Sequence, residues 1–220
     1  MGNEPVFYTK NPYEGLIMPP PIFNEALPDR IVIATHNAGK LREFADLLGS
    51  YASRIVSAGD LGLPSPEETG TTFAENALLK ARAAAWASDS LTLADDSGLC
   101  VNALGGGPGL YSARWATPDE GFVGAMKRVL AEVMDAADRS AYFICVLALV
   151  WPNGRTETVE GRVNGSIATE MRGAGGHGYD AIFIPEGYDL TFAEMGEHKK
   201  NALSHRSRAT HELVSRFFAG

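Results

Sequence analysis

The stretch "RIVIATHNAGKLREFADLL", residues 30–48, decides the fold. Ile31, Val32 and Ile33 form a short β-branched run suited to a buried strand, and Leu41, Phe44, Leu47 and Leu48 recur at helical spacing, so the segment reads as strand, polar turn, helix. The alternation continues downstream. "TTFAENALLKARAAAWAS" (71–88), rich in Ala and Leu, predicts a second helix, and a short turn leads into "LTLADDSGL" (91–99), which opens as an apolar strand and is expected to end at its paired carboxylates. Strands alternating with helices predict an α/β protein built on a layered sheet.

Further along, "NALGGGPGLYSARWATP" is too rich in Gly and Pro for regular structure and predicts a long loop, followed by a helix over about 118–136. "AYFICVLALVW" and "TETVEGRVNGSI" predict two strands joined at "PNGR", a good hairpin turn. "GGHGYDAIFIPEG" and a terminal helix over about 201–218 complete the chain. Residues 1–28 carry many prolines and no sustained periodicity, so they are expected to be an extension outside a single functional domain spanning 29–220.

A chain of 220 residues that is 45% hydrophobic can bury a substantial core as one large domain or two small lobes. Its formal net charge of −8 opposes sequence-independent binding to nucleic acid, which depends on Lys and Arg neutralising phosphates, but leaves room for a small anionic ligand where cations gather locally. Cys100 and Cys145 sit in or beside apolar runs and read as buried thiols of a reducing cytosol. The start "MGNEPVFYTK" has no basic patch before an apolar run, and Val6 stands where a myristoylation motif requires Ser or Thr. The longest apolar run, 142–151, is about half of the roughly 20 residues that cross a bilayer, so no membrane association is expected.

Several positions carry possible chemistry. In "THNAGK" (35–40) a strand runs into a helix through Thr35, His36, Asn37, Ala38, Gly39 and Lys40, placing backbone N–H groups, the positive end of a helix dipole and an ammonium around one point. That suits a phosphate, although it equally describes a plain turn capped by Asn37 with Lys40 in solvent. Asp95 and Asp96 point to opposite faces of a strand, so one is expected to serve a ligand and the other the structure; a carboxylate there can hold Mg²⁺ or take a proton from water. Glu75 fits a capping box with Thr72 or a metal ligand. "GGHGYD" presents His177, Gly178, Tyr179 and Asp180 on a flexible turn, an aromatic ring beside a carboxylate as purine recognition requires. "HKKNALSHRSR" (198–208) gathers cations in an acidic protein.

In this order, "THNAGKLREF", "ETGTTFAENALLKA", "LADDSGLCVNALGGGPGLYSARWA", "GGHGYDAIFIP" and "KNALSHRSRA" resemble the non-canonical purine nucleoside triphosphate pyrophosphatases, the inosine triphosphatase-like family, from about residue 31 onward. The resemblance implies an elongated α/β fold of two lobes around a central mixed β-sheet with flanking helices, a cytoplasmic homodimer, and Mg²⁺-dependent hydrolysis of dITP, ITP or XTP to the monophosphate and pyrophosphate. By the same resemblance Thr35 to Lys40 would hold the triphosphate, Asp96 would be the catalytic carboxylate near Mg²⁺ with Lys40 assisting, and Glu75 would help bind the metal. Ser97 would touch substrate, His177 to Asp180 would cradle the base, and Lys200, His205 and Arg206 would complete the site. The family commonly has Phe where this chain has His177. Two other readings are a nucleotide-binding sensor without turnover and a phosphatase of another class, though the D-x-D followed by Gly-Thr of haloacid dehalogenase-like phosphatases does not match "ADDSGL".

Overall fold

A computed structural model describes residues 29–49 and 54–218. The expected extension at 1–28 lies outside the described residues. The core is one mixed sheet of six strands in the order β2-β1-β3-β4-β5-β6: β1 Arg30–Ile33, β2 Arg54–Ser57, β3 Leu91–Val101, β4 Ser140–Val150, β5 Thr156–Ile167 and β6 Phe183–Pro185. β1 runs parallel to β2 and β3, and β3 to β6 are mutually antiparallel. The helices are α1 Ala38–Leu48, α2 Phe73–Ser88, α3 Gly121–Glu132, α4 Glu197–Leu203 and α5 His205–Phe217. Among the described residues no helix is long and apolar enough to cross a membrane.

The strand-turn-helix reading of 30–48 and the hairpin at "PNGR" are as expected; Gly154 closes the hairpin with φ +87°, a conformation glycine adopts without strain. Two expectations are corrected and one element is added. β3 does not stop at Asp95 and Asp96 but continues to Val101, because β4 pairs with it without a break from Thr92↔Val150 to Val101↔Ala141. The terminal helix is two helices, since Ser204 turns to extended backbone (ψ 151°) and its hydroxyl oxygen caps α5 by accepting the N–H of Ser207. β2, a four-residue edge strand, is an addition to the elements read from the sequence.

Side-chain alternation along β3 sorts the core. On one face Leu91 and Leu93 join a cluster with Phe44, Leu48, Leu147, Leu149, Leu213 and Phe218, under α1 and α5. Further along the same face Leu99 and Val101 join a second cluster with Phe143, Val163, Phe183 and Phe192, under α3 and the loops around β6. These two clusters are the two lobes, and Asp95 and Ser97 occupy the seam between them. The opposite face of the sheet, with Ala94, Cys100, Ile144, Val146 and Ala148, is covered by the alanine stripe of α2.

α5 reaches the seam because Gly161 of β5 lets it lie directly on the strand: a Cβ there would collide with the backbone of His205 and Ala209. Gly161→Ala is therefore expected to push α5 off the sheet and to cost about 1–3 kcal/mol, the scale of overpacking, lowering the midpoint by several degrees in a thermal melt.

Candidate active site

β1 pairs with β3 only as far as Ile33↔Leu93. Beyond Leu93 the edge of β3 faces the loop 34–37 and the start of α1, and this is where charge enters the interior. Asp95 is 3% exposed. Lys40 Nζ donates to its two oxygens at 2.9 and 2.7 Å, Ser97 Oγ donates to Oδ2 at 3.1 Å, and Arg206 Nη2 lies 3.5 Å from Oδ2 while its Nη1 donates to Glu43 Oε2 at 2.7 Å. Burial alone would raise the Asp95 carboxyl, but Lys40 and Arg206 outweigh it and hold it well below the usual carboxylate range. The neighbouring thiol of Cys145, paired with Ser97 across the strands, is pushed up to about 12 by burial and by Asp95, so it stays protonated and inert.

The same seam receives the last two helices. Lys200 Nζ sits 2.6 Å from Asp180 Oδ2, whose carboxylate also accepts the backbone N–H of His177. His205 stacks on Phe143 with ring centroids 4.9 Å apart and planes 10° apart. Burial, then Arg206 and Lys200, push its imidazole well below the ordinary value, so it is neutral at working pH. Two buried nitrogens here, His205 Nδ1 and Arg206 Nε, have no hydrogen-bond partner among the described residues.

Asp96 faces the other way. Lys80 of α2 donates to Asp96 Oδ1 at 3.0 Å and to Glu68 Oε1 at 2.6 Å, Asn76 Nδ2 lies 3.5 Å from Asp96 Oδ2, and Arg114 is 3.7 Å from Glu68. Burial raises the Asp96 carboxyl above its ordinary value, and Lys80 offsets only part of the shift. The two adjacent aspartates thus differ in kind: Asp95 is clamped as a carboxylate by two cations, whereas Asp96 is desolvated and its carboxyl is shifted upward.

Other residues singled out in the sequence are placed as follows. Asn37 is the N-cap of α1, its Oδ1 accepting the N–H groups of Gly39 and Lys40, and its own N–H donates to Thr35 Oγ1 at 3.1 Å. Ala38 opens α1, and Lys40 is ion-paired rather than solvated. The His36 ring Nε2 contacts Leu63 O at 2.8 Å. Glu75 makes the capping box: Oε2 takes the N–H of Thr71 at 2.6 Å and of Thr72 at 3.2 Å, and the carboxyl is held below its ordinary value by the Thr71 hydroxyl and N–H. Its carboxylate is directed to the start of its own helix. Tyr179 lies on the inner side of its loop. The turn at Gly178 (φ +62°) sends its ring inward, 2% exposed, with its hydroxyl donating to Ser112 O at 2.9 Å and Phe122 packed edge-on; His177 stays exposed.

Glu68, Asn76 and Lys80 are site residues that reading the sequence missed. Glu68 stands in "PSPEETG", which has no periodicity to place it. Lys80 did carry a signal, being the cation on a helical stripe otherwise made of buried Ala77, Ala81 and Ala84.

A comparison with protein families matches residues 31–216 to the Ham1 family. The chain belongs to the Ham1 family. Among curated Ham1 relatives it is 53% identical over 194 residues to the dITP/XTP pyrophosphatase of Rhodospirillum centenum, covering 87% of this chain and 96% of that one. It is also 53% identical over 180 residues to the dITP/XTP pyrophosphatase of Gluconobacter oxydans, covering 82% and 86%. Among solved structures, a HAM1 protein from Coxiella burnetii superposes with a TM-score of 0.80 at 39% identity over 85% of this chain and 97% of its own. The nucleoside-triphosphatase, dITP/XTP pyrophosphatase, of Mycobacterium abscessus gives 0.71 at 40% identity over 84% and 98%.

The Ham1 seam yields a stability test. Asp95→Asn removes the counter-charge of Lys40 and Arg206 and is expected to cost about 3–5 kcal/mol in urea denaturation. Because the folded-state value of Asp95 is depressed, its stabilisation is complete above about pH 4, the unfolded value, and disappears as pH falls through the folded one. Acid titration of the melting temperature should therefore fall more steeply below about pH 4 in the wild type than in the variant.

Proposed function

We propose that this protein hydrolyses non-canonical purine nucleoside triphosphates, dITP, ITP and XTP, to the nucleoside monophosphate and pyrophosphate. The observation that carries the reading is Asp96: a desolvated carboxylate with a raised pKa beside a lysine and a second carboxylate, in a chain whose relatives bearing the name dITP/XTP pyrophosphatase are about half identical to it over most of its length.

The donor set at Asp96 fits a hard divalent cation. Among the described residues no three His, Cys, Asp or Glu form a ready-made cage, but Mg²⁺ is ordinarily held by one or two carboxylates with substrate phosphates and water completing its shell. Asp96 and Glu68 supply two carboxylates that converge on one ammonium, Lys80 Nζ, so their oxygens already face a common positive charge. Mg²⁺ held by these two would offset phosphate charge there. In this reading Glu68 takes the role that the resemblance gave to Glu75.

The chain's own groups do the rest. The N-terminal end of α1 with Lys40, together with Lys80 and Arg206, offsets the negative charge of the triphosphate, and Thr35 to Gly39 shape the turn that receives it. Asp96 takes a proton from a water that attacks the α-phosphorus. The bond from that phosphorus to the bridging oxygen breaks, and pyrophosphate leaves. Ser97, fixed on Asp95, faces the substrate at the seam. His177, Gly178 and Asp180 bound the base, with Lys200 holding Asp180 in place. His205 and Arg206 complete the nucleotide site, and a purine whose 6-position leaves a buried donor of the site unpaired forfeits roughly 1–3 kcal/mol. The reading includes a homodimer in the cytoplasm.

Asp96→Asn is expected to lower turnover of ITP at least about 10²-fold with little change in melting. In ¹⁸O-labelled water the wild type should place the label in IMP and release unlabelled pyrophosphate; IDP with labelled orthophosphate would refute attack at the α-phosphorus. The two glutamates separate cleanly. Glu68→Gln should raise the Mg²⁺ concentration needed for half-maximal activity, whereas Glu75→Gln should cost about 1 kcal/mol of stability and leave the Mg²⁺ requirement alone.

A further inference from the structure

Asn76 is 2% exposed in the first turn of α2, where asparagine is a poor helix former and a buried amide is costly unless both its ends are hydrogen-bonded. Both ends are engaged. Oδ1 accepts the N–H of Gly70 at 2.8 Å, and Nδ2 lies 3.5 Å from Asp96 Oδ2. The orientation of the amide follows from chemistry, since Gly70 N–H can only donate and an ionised carboxylate can only accept. Gly70 ends the irregular segment that carries Glu68, and a Cβ on Gly70 would lie 2.6 Å from Asn76 Oδ1, so this junction is closely packed.

We infer that Asn76 is a positioning residue that fixes the plane of the Asp96 carboxylate and its separation from Glu68. Lys80 cannot do this alone. Its ammonium is a point charge with rotating donors, and it holds only Oδ1 of Asp96, about which the carboxylate can pivot. The second contact, at Oδ2, stops the pivot, and the same amide ties that contact through Gly70 to the segment bearing Glu68. The inference rests on the assignment of Asp96 as the reacting carboxylate.

Asn76→Asp tests it, because the new side chain keeps an acceptor for Gly70 N–H while losing the donor to Asp96 and setting a carboxylate against it. The variant is expected to fold with a lowered melting temperature, since it sets a second carboxylate beside the buried Asp96, and under conditions where it is folded kcat for ITP should fall about 10-fold or more with KM within about 2-fold, as for a group whose effect is confined to the reacting geometry. Wild-type kcat in a folded Asn76→Asp would overturn the inference while leaving the Asp96 assignment intact if Asp96→Asn is inactive. An active Asp96→Asn would refute the assignment and the inference together. A readout that needs no variant is the side-chain amide resonance pair of Asn76 in the native protein. It should shift when Mg²⁺ is added without nucleotide, and an unmoved pair at saturating Mg²⁺ would also overturn the proposal.

Discussion

A carboxylate in the middle of an apolar sheet has to be met by positive charge from whatever packs above it, and in this protein that demand falls on α1 and α5. Asp95 draws Lys40 from the first turn of one helix and Arg206 from the first turn of the other, and Glu43 of α1 takes the remaining arm of the arginine. Elements more than a hundred residues apart in the chain are thereby tied to one strand, and the gap between the two lobes is kept polar. Replacing this cluster with apolar side chains of similar volume would cost the sheet little, since buried ion pairs seldom out-stabilise good packing. What would disappear is the set of cations gathered at the seam.

The strict alternation of β3 gives two neighbouring aspartates opposite surroundings. Asp95 looks toward the lobes and is saturated with positive charge; Asp96 looks toward α2 and shares a single lysine with Glu68. The apolar residues of β4 lie against both, and the opposite directions in which their carboxyls shift follow from the cations on each side: Lys40 and Arg206 outweigh burial at Asp95, whereas Lys80 offsets only part of it at Asp96. One sheet position therefore supplies a fixed negative charge and the next a carboxyl whose charge is disfavoured by burial.

Much of this arrangement could be read from the residues alone, where the signal was local. The β-branched run and helical spacing of 30–48, the Pro-Asn-Gly turn and the Thr72 to Glu75 capping box all act over a few residues. The misread features depend on distant partners. Paired carboxylates look like the end of a strand, and only the pairing with β4, some fifty residues later, carries the backbone past them. Ser204 looked like an ordinary residue in a helical run because its break is set by capping of α5. Tyr179 stands in a glycine-flanked turn, and nothing local in the sequence foretells that its ring packs into the second lobe.

The unbroken ladder between β3 and β4 also bears on how such a chain can change over evolutionary time. Inserting or deleting one residue anywhere from Leu91 to Ala94 would turn the remainder of the strand over, presenting Asp96 to Lys40 and Arg206 and sending Asp95 to Lys80. Point substitutions can be absorbed one at a time, but a change of length here would exchange the two acids at a stroke. Length variation should accordingly collect in the connections around this strand, in the loop 102–120 and the turn after β4, while the count of residues between the lobes stays constant across any lineage that keeps the chemistry.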